Sequence, residues 1–189
     1  MYKRQTKYDA TGAFLGTFAS THLNHPTGLA FSPSGNLLVA NSVGNTIVQF
    51  SGVTGAFMGT FASTHLDTPM GLAFSSSGNL FVANSDGNTI AQFNGLTGAF
   101  VGTFASTHLA RPFGLAFSPG GNLFVADALS GNVVQFNGTT GAFVGTFASS
   151  PDAAPLGLAF SPSGNLAVVY SPGPVAQYNG CLLYTSRCV

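Results

Sequence analysis

The chain has 189 residues, 45% of them hydrophobic and only 5% charged, and its five Lys and Arg balance five acids, all of which are Asp. Charged residues normally make up about a quarter of a soluble domain, so Gly, Ser, Thr and Asn must wet this surface, a habit that suits an extracellular or cell-envelope (periplasmic) protein. No apolar run approaches the roughly 18 residues of a membrane helix, which argues against membrane insertion, and so few scattered cations argue against a nucleic-acid partner.

Residues 1–5, Met-Tyr-Lys-Arg-Gln, stand outside any pattern. They resemble the translation of a transposase sequencing adapter, as do residues 181–189, Cys-Leu-Leu-Tyr-Thr-Ser-Arg-Cys-Val. Both ends are expected to be artefact and no part of the fold. Cys181 and Cys188 then license neither a disulfide nor a metal pair. Lys7 and Arg111 remain against five Asp, a net charge of −3.

Residues 6–180 are repetitive: Gly-Ala-Phe recurs at Gly12, Gly55, Gly98 and Gly141, a constant spacing of 43 residues. Each unit reads as four short strands. In the first, Thr27–Ser32 places Leu29 and Phe31 on one face, and a Ser34-Gly35 turn leads into Asn36–Asn41. A loop at 42–45 precedes Thr46–Phe50, and the turn 51–55 precedes Ala56–Ala62. Alternation and β-branched or aromatic enrichment support strands throughout. A period of about 40 to 50 residues carrying four strands is the signature of a β-propeller blade. The fold class is therefore all-β, a propeller of four-stranded antiparallel blades.

The linker after each fourth strand, such as Ser63–Thr68, crosses one rim to a Pro-x-Gly that opens the next blade. Gly28, Gly71, Gly114 and Gly157 are expected where backbones converge on the axis. The phase gives three complete blades with a partial blade at each end. Closed rings have about 4 to 8 blades, so a longer protein of six or seven blades is expected. Phe14, Phe57, Phe100 and Phe143 are expected on the apolar faces that blades press together.

The segment PTGLAFSPSGNLLVANSVGNTIVQF resembles the NHL repeat, and it recurs as PMGLAFSSSGNLFVANSDGNTIAQF and PFGLAFSPGGNLFVADALSGNVVQF. A fourth copy, PLGLAFSPSGNLAVVYSPGPVAQY, departs at Tyr170, Pro172 and Pro174. The resemblance implies a propeller that most often serves as a binding platform, while a minority of relatives are metal-dependent lactonases or lyases.

Asn41, Asn84 and Asp127 end successive second strands and are the nearest approach to a metal constellation. Strand-end Asn and Asp also shape neighbouring loops through backbone hydrogen bonds, and a hard cation needs six or more oxygens. The lactonase-like relatives also use a Glu, which the chain lacks. His22, His65 and His108 recur in a Thr-His-Leu motif on separate linkers. Zinc would need them within a few Å of one point, so packing with Leu23, Leu66 and Leu109 is the expectation.

Positions that differ between copies are the better place to look for recognition. On the linker-side rim these are Asn24, His25 and Thr27 in one unit, Asp67, Thr68 and Met70 in the next, and Arg111 and Phe113 in the third. Asp86 and Leu129 lie in the loops between second and third strands on that rim. The leading expectation is a non-enzymatic scaffold, without cofactor, that binds a protein or glycan there. The alternative is a metal-dependent lactonase- or lyase-type enzyme using a divalent cation such as calcium, with Asn84 and Asp127 facing the channel and further residues on other blades.

Overall fold

A computed structural model describes residues 5–179 of the chain. Among them are only strands, turns and loops, so no helix is long and apolar enough to cross a membrane. The ends read as adapter lie outside the described residues apart from Gln5, which pairs with Ala19.

The strands fall into successive antiparallel sheets. A two-stranded sheet of β1 (Gln5–Tyr8) and β2 (Phe14–Ala19) comes first. Three four-stranded blades follow, each in simple sequence order. They are β3–β6 (Pro26–Phe31, Leu37–Asn41, Thr46–Phe50, Phe57–Ala62), β7–β10 (Pro69–Phe74, Leu80–Asn84, Thr89–Phe93, Phe100–Ala105) and β11–β14 (Pro112–Phe117, Leu123–Asp127, Asn132–Phe136, Phe143–Ser149). A three-stranded sheet of β15 (Ala154–Phe160), β16 (Leu166–Ser171) and β17 (Val175–Tyr178) closes the series. Three full blades with two partial ones is the arrangement the repeat phase implies. The first strands of the three full blades begin one residue earlier than a Thr27 start requires, because Pro26, Pro69 and Pro112 already pair with Asn41, Asn84 and Asp127. Proline is tolerated at the first residue of a strand, where no ladder donor is needed.

The packing departs from simple alternation. Every residue of β4, β8 and β12 is buried, since each blade offers both faces to its neighbours. The resulting cores therefore lie between blades. Leu38, Ala40 and Ile47 of one blade join Leu72, Leu80, Val82 and Phe93 of the next, and Phe81, Ala83 and Ile90 join Leu115, Leu123, Val125 and Phe136 in the same way. Phe81 meets Phe104 and Phe117 edge-on with centroids 4.7 and 5.0 Å away, a favoured geometry for aromatic pairs.

The placement of the repeated Gly-Ala-Phe phenylalanines needs correction. Phe14 and Phe57 are exposed, and Phe100 and Phe143 are only partly buried. The fully buried rings are Phe50, Phe93 and Phe136, which end the third strands, together with Phe81 and Phe124. The outermost strand has fewer neighbours, so its first side chain is peripheral. Leu29 and Phe31, read as sharing one face, are 52% and 59% exposed, whereas the counterparts of Leu29, Leu72 and Leu115, are 7% exposed and those of Phe31, Phe74 and Phe117, are half-buried. The sheet beside Leu29 and Phe31 contains β1 and β2 alone and does not cover them.

Near the axis the first strands of successive blades approach backbone to backbone. A Cβ on Gly28 would lie 1.9 Å from the Met70 carbonyl oxygen, and one on Gly71 would lie 2.1 Å from that of Phe113. Only glycine permits that approach.

Candidate binding site on the linker-side rim

The first strands carry the candidate site because each projects the residue before its axial glycine toward the same space. Thr27, Met70, Phe113 and Leu156, together with Gly28, Gly71 and Gly114, line one concavity of about 340 Å³. Four residues separated by about 43 positions in sequence thus become neighbours. The Thr27 hydroxyl donates to the Pro69 carbonyl at 2.9 Å, and the other three side chains are apolar.

Immediately before these residues the linkers build a polar rim. His25, Thr68 and Arg111 adopt φ values of 52°, 51° and 59°, a region that costs a non-glycine residue energy. Each is held there by the strand-two loop of its own blade. The His25, Thr68 and Arg111 carbonyls accept from the backbone N–H of Ser42, Ser85 and Ala128, at 3.1 Å in each case. Asn45 and Asn88, also at positive φ, reach across blades: Asn45 Oδ1 accepts from Thr68 N–H at 2.8 Å and Asn88 Oδ1 from Arg111 N–H at 2.7 Å. The Thr68 hydroxyl donates to Asp86 at 2.7 Å, and Arg111 lies 3.7 Å from Asp86. Thr68, Asp86 and Arg111 therefore form one chain of contacts. Asp67 is exposed, and Leu129 is a loop tip 71% exposed. Asn24 donates its backbone N–H to Asn41 and sits beside His25, with His25 Nδ1 3.4 Å from Asn24 Oδ1.

Asn41, Asn84 and Asp127 point at their own linkers. Asn41 Oδ1 accepts from Asn24 N–H, while its Nδ2 donates to the His22 carbonyl and Thr46 hydroxyl. Asn84 repeats this with Asp67 N–H, the His65 carbonyl and Thr89. Asp127 accepts from Ala110 N–H at 2.6 Å and from the Ser130 hydroxyl. The loop these residues shape is the one before their blade, not only the one after, because antiparallel pairing brings the linker back over the end of the second strand. Burial holds the Asp127 carboxyl above the ordinary aspartate value, against the lowering effect of the Ser130 and Ala110 hydrogen bonds.

The recurrent histidines have a partner the sequence reading missed. His22, His65 and His108 stack flat on Phe57, Phe100 and Phe143, with centroids 3.7, 3.7 and 3.9 Å apart and planes within 5°. The neighbouring Leu23, Leu66 and Leu109, expected as the packing partners of these histidines, pack instead against the inter-blade cores. The constant 35-residue interval from each His to its Phe was available in the sequence. What the sequence hides is the blade twist that swings the fourth strand under the linker. Among the described residues no group of three or more His, Cys, Asp or Glu could hold a metal ion.

The chain folds as a β-propeller of four-stranded blades. The family model described as "WD domain, G-beta repeat" matches residues 12–51. No curated protein matches the chain. Among solved structures, a gluconolactonase from Xanthomonas campestris is 21% identical with a TM-score of 0.74, over 91% of this chain and 63% of that one. Virginiamycin B lyase from Staphylococcus aureus is 11% identical with a TM-score of 0.69, over 92% and 62%. Hydrazine synthase from Kuenenia stuttgartiensis is 19% identical with a TM-score of 0.65, over 78% and 42%. The chain thus spans 42% to 63% of the length of these structures. At such identities the likeness is one of fold.

Proposed function

We propose that this chain is part of an NHL-like propeller that acts as a binding scaffold, extracellular or envelope-associated, engaging a protein or glycan through the linker-side rim. The observation that carries this reading is the axial concavity. Its side chains, Thr27, Met70, Phe113 and Leu156, differ in every copy of otherwise repeated units. None of the four ionises near neutral pH, so none acts as a general acid or base, and one hydroxyl is far from the oxygen set of a hard cation. They are suited to contact.

The test compares the wild type with Phe113→Ser on arrays of secreted proteins and of glycans. A ligand bound by the wild type and at least about tenfold more weakly by the variant supports the scaffold. Unchanged binding would overturn it.

A lactonase- or lyase-type enzyme is the second reading, favoured by the gluconolactonase and lyase among the similar structures. To take a divalent cation such as calcium at Asn84 and Asp127, it would have to release the linker hydrogen bonds these side chains make. Calcium titration with thermal denaturation bears on the choice: a large stabilisation abolished by Asp127→Ala favours the enzyme reading, and no stabilisation favours the scaffold.

A further inference from the structure

We propose that the partner is a protein segment that inserts an apolar side chain into the axial concavity and sets a Lys or Arg beside it against the rim. This inference rests on the binding-scaffold reading and adds the chemistry of the ligand. A volume of about 340 Å³ lies at the small end of ligand sites and suits one or two side chains. The lining is poorly matched to a sugar. Its one hydroxyl already donates to Pro69 O, and Met70, Phe113 and Leu156 offer sugar hydroxyls nothing. Met and Phe side by side give a polarisable, adaptable surface for an aliphatic or aromatic group.

The rim supplies the charge preference. Asp67, Asp86 and Asp152 are exposed in the linkers and strand-two loops, and Arg111, the lone cation among them, is engaged by Asp86 at 3.7 Å. The exposed groups therefore leave the rim acidic by two charges. Asp67 lies three residues before Met70 and Asp152 four before Leu156, so at most about 10 to 14 Å of chain separates each from the lining. A cation flanking the inserted side chain is then attracted by this acidic rim, the more strongly the lower the salt.

Methyl NMR on the chain's three methionines reads the site directly. Met70 lines the concavity, while Met58, 54% exposed on β6, serves as an internal control. The probes are end-blocked Gly-Lys-Leu-Lys-Gly, Gly-Glu-Leu-Glu-Gly and Gly-Lys-Ser-Lys-Gly, with cellotetraose as the sugar. The Lys-Leu peptide should move Met70 saturably and leave Met58 in place. The Glu and Ser peptides should bind about tenfold more weakly. Asp67→Asn combined with Asp152→Asn should weaken the Lys-Leu peptide by about threefold, as expected for exposed charges. Equal binding of the Glu peptide, or no loss in the double variant, would overturn the basic preference while leaving the concavity as a site. Preference for cellotetraose over every peptide would overturn the protein assignment. A Met70 methyl that no probe moves would sink both this inference and the site beneath it.

Discussion

Asp127 shows how one side-chain atom changes a repeated contact. In the preceding blades Asn41 and Asn84 satisfy an N–H with their oxygen and a His carbonyl with their nitrogen. A carboxylate can accept from Ala110 N–H but has no proton for the equivalent His108 carbonyl. Asp127→Asn should therefore stabilise the protein at pH 7 by about 1 kcal/mol, the net worth of one hydrogen bond. The pH dependence has a definite sign. Burial raises the folded carboxyl's pKa above 3.8, so the folded state binds the proton more tightly and the wild type loses stability as pH rises from the unfolded value through the folded one. The advantage of the Asn variant should be full at neutral pH and shrink toward pH 4, where a protonated Asp127 can donate as Asn does. Urea unfolding of both proteins at pH 7 and pH 4 checks this, and a pH-independent difference would contradict it.

At the scale of the strand, the third and fourth strands of a blade divide the aromatic residues unequally. Phe93 is fully buried in the core between blades, while Phe100 opens the outer strand, edge-on to Phe93 at 5.6 Å and covered on its flat side by His65. Phe93→Ala should cost about 3 to 5 kcal/mol, the usual loss for a buried Phe. Phe100→Ala and His65→Ala should each cost roughly 1 kcal/mol, because each removes one partly exposed ring from a stacked pair. The fourth strand reaches the cores through Ala62 and Ala105, and equal losses at Phe93 and Phe100 in chemical denaturation would show that its first residue is as deeply packed as they are. These assignments mark the boundary of what the sequence discloses. The 43-residue period, the turn glycines and the Pro-x-Gly fixed strand number, blade order and the axial approach of Gly28 and Gly71. Alternation could not tell Phe93 from Phe100, since both sit in apolar strands and differ in position across the blade: Phe93 ends the third strand and Phe100 opens the outermost. The convergence of Thr27, Met70, Phe113 and Leu156 was half legible: their variability was visible, their shared concavity was not. Asn45 and Asn88 looked like loop residues, and only the blade-to-blade geometry gives them their reach to Thr68 and Arg111.

Across the whole molecule, stability is shared between neighbours. Each core cluster joins adjacent sheets, with Ala19 packing among Leu37, Val39 and Phe50 at one side and Phe124 among Leu166, Val168 and Tyr170 at the other. In such an array a blade's stability is its own plus that of its two interfaces. Protection should then follow cover on both faces. The wholly buried β4, β8 and β12 are flanked by sheets on each side, whereas β1 exposes three of its four residues and β17 two of its four, with none buried in either. Amide hydrogen exchange should be slowest in β8, whose blade lies between two full blades, and fastest in β1 and β17, which open by local fraying. Gly71→Ala adds a directional test. Its Cβ would stand 2.1 Å from the Phe113 carbonyl, forcing apart the second and third full blades at a cost of about 1 to 3 kcal/mol, typical of overpacking. If coupling runs from neighbour to neighbour, exchange should quicken in β8 and β12 together while β16 changes less. A uniform loss of protection in all strands would mean instead that the blades unfold as a single cooperative unit.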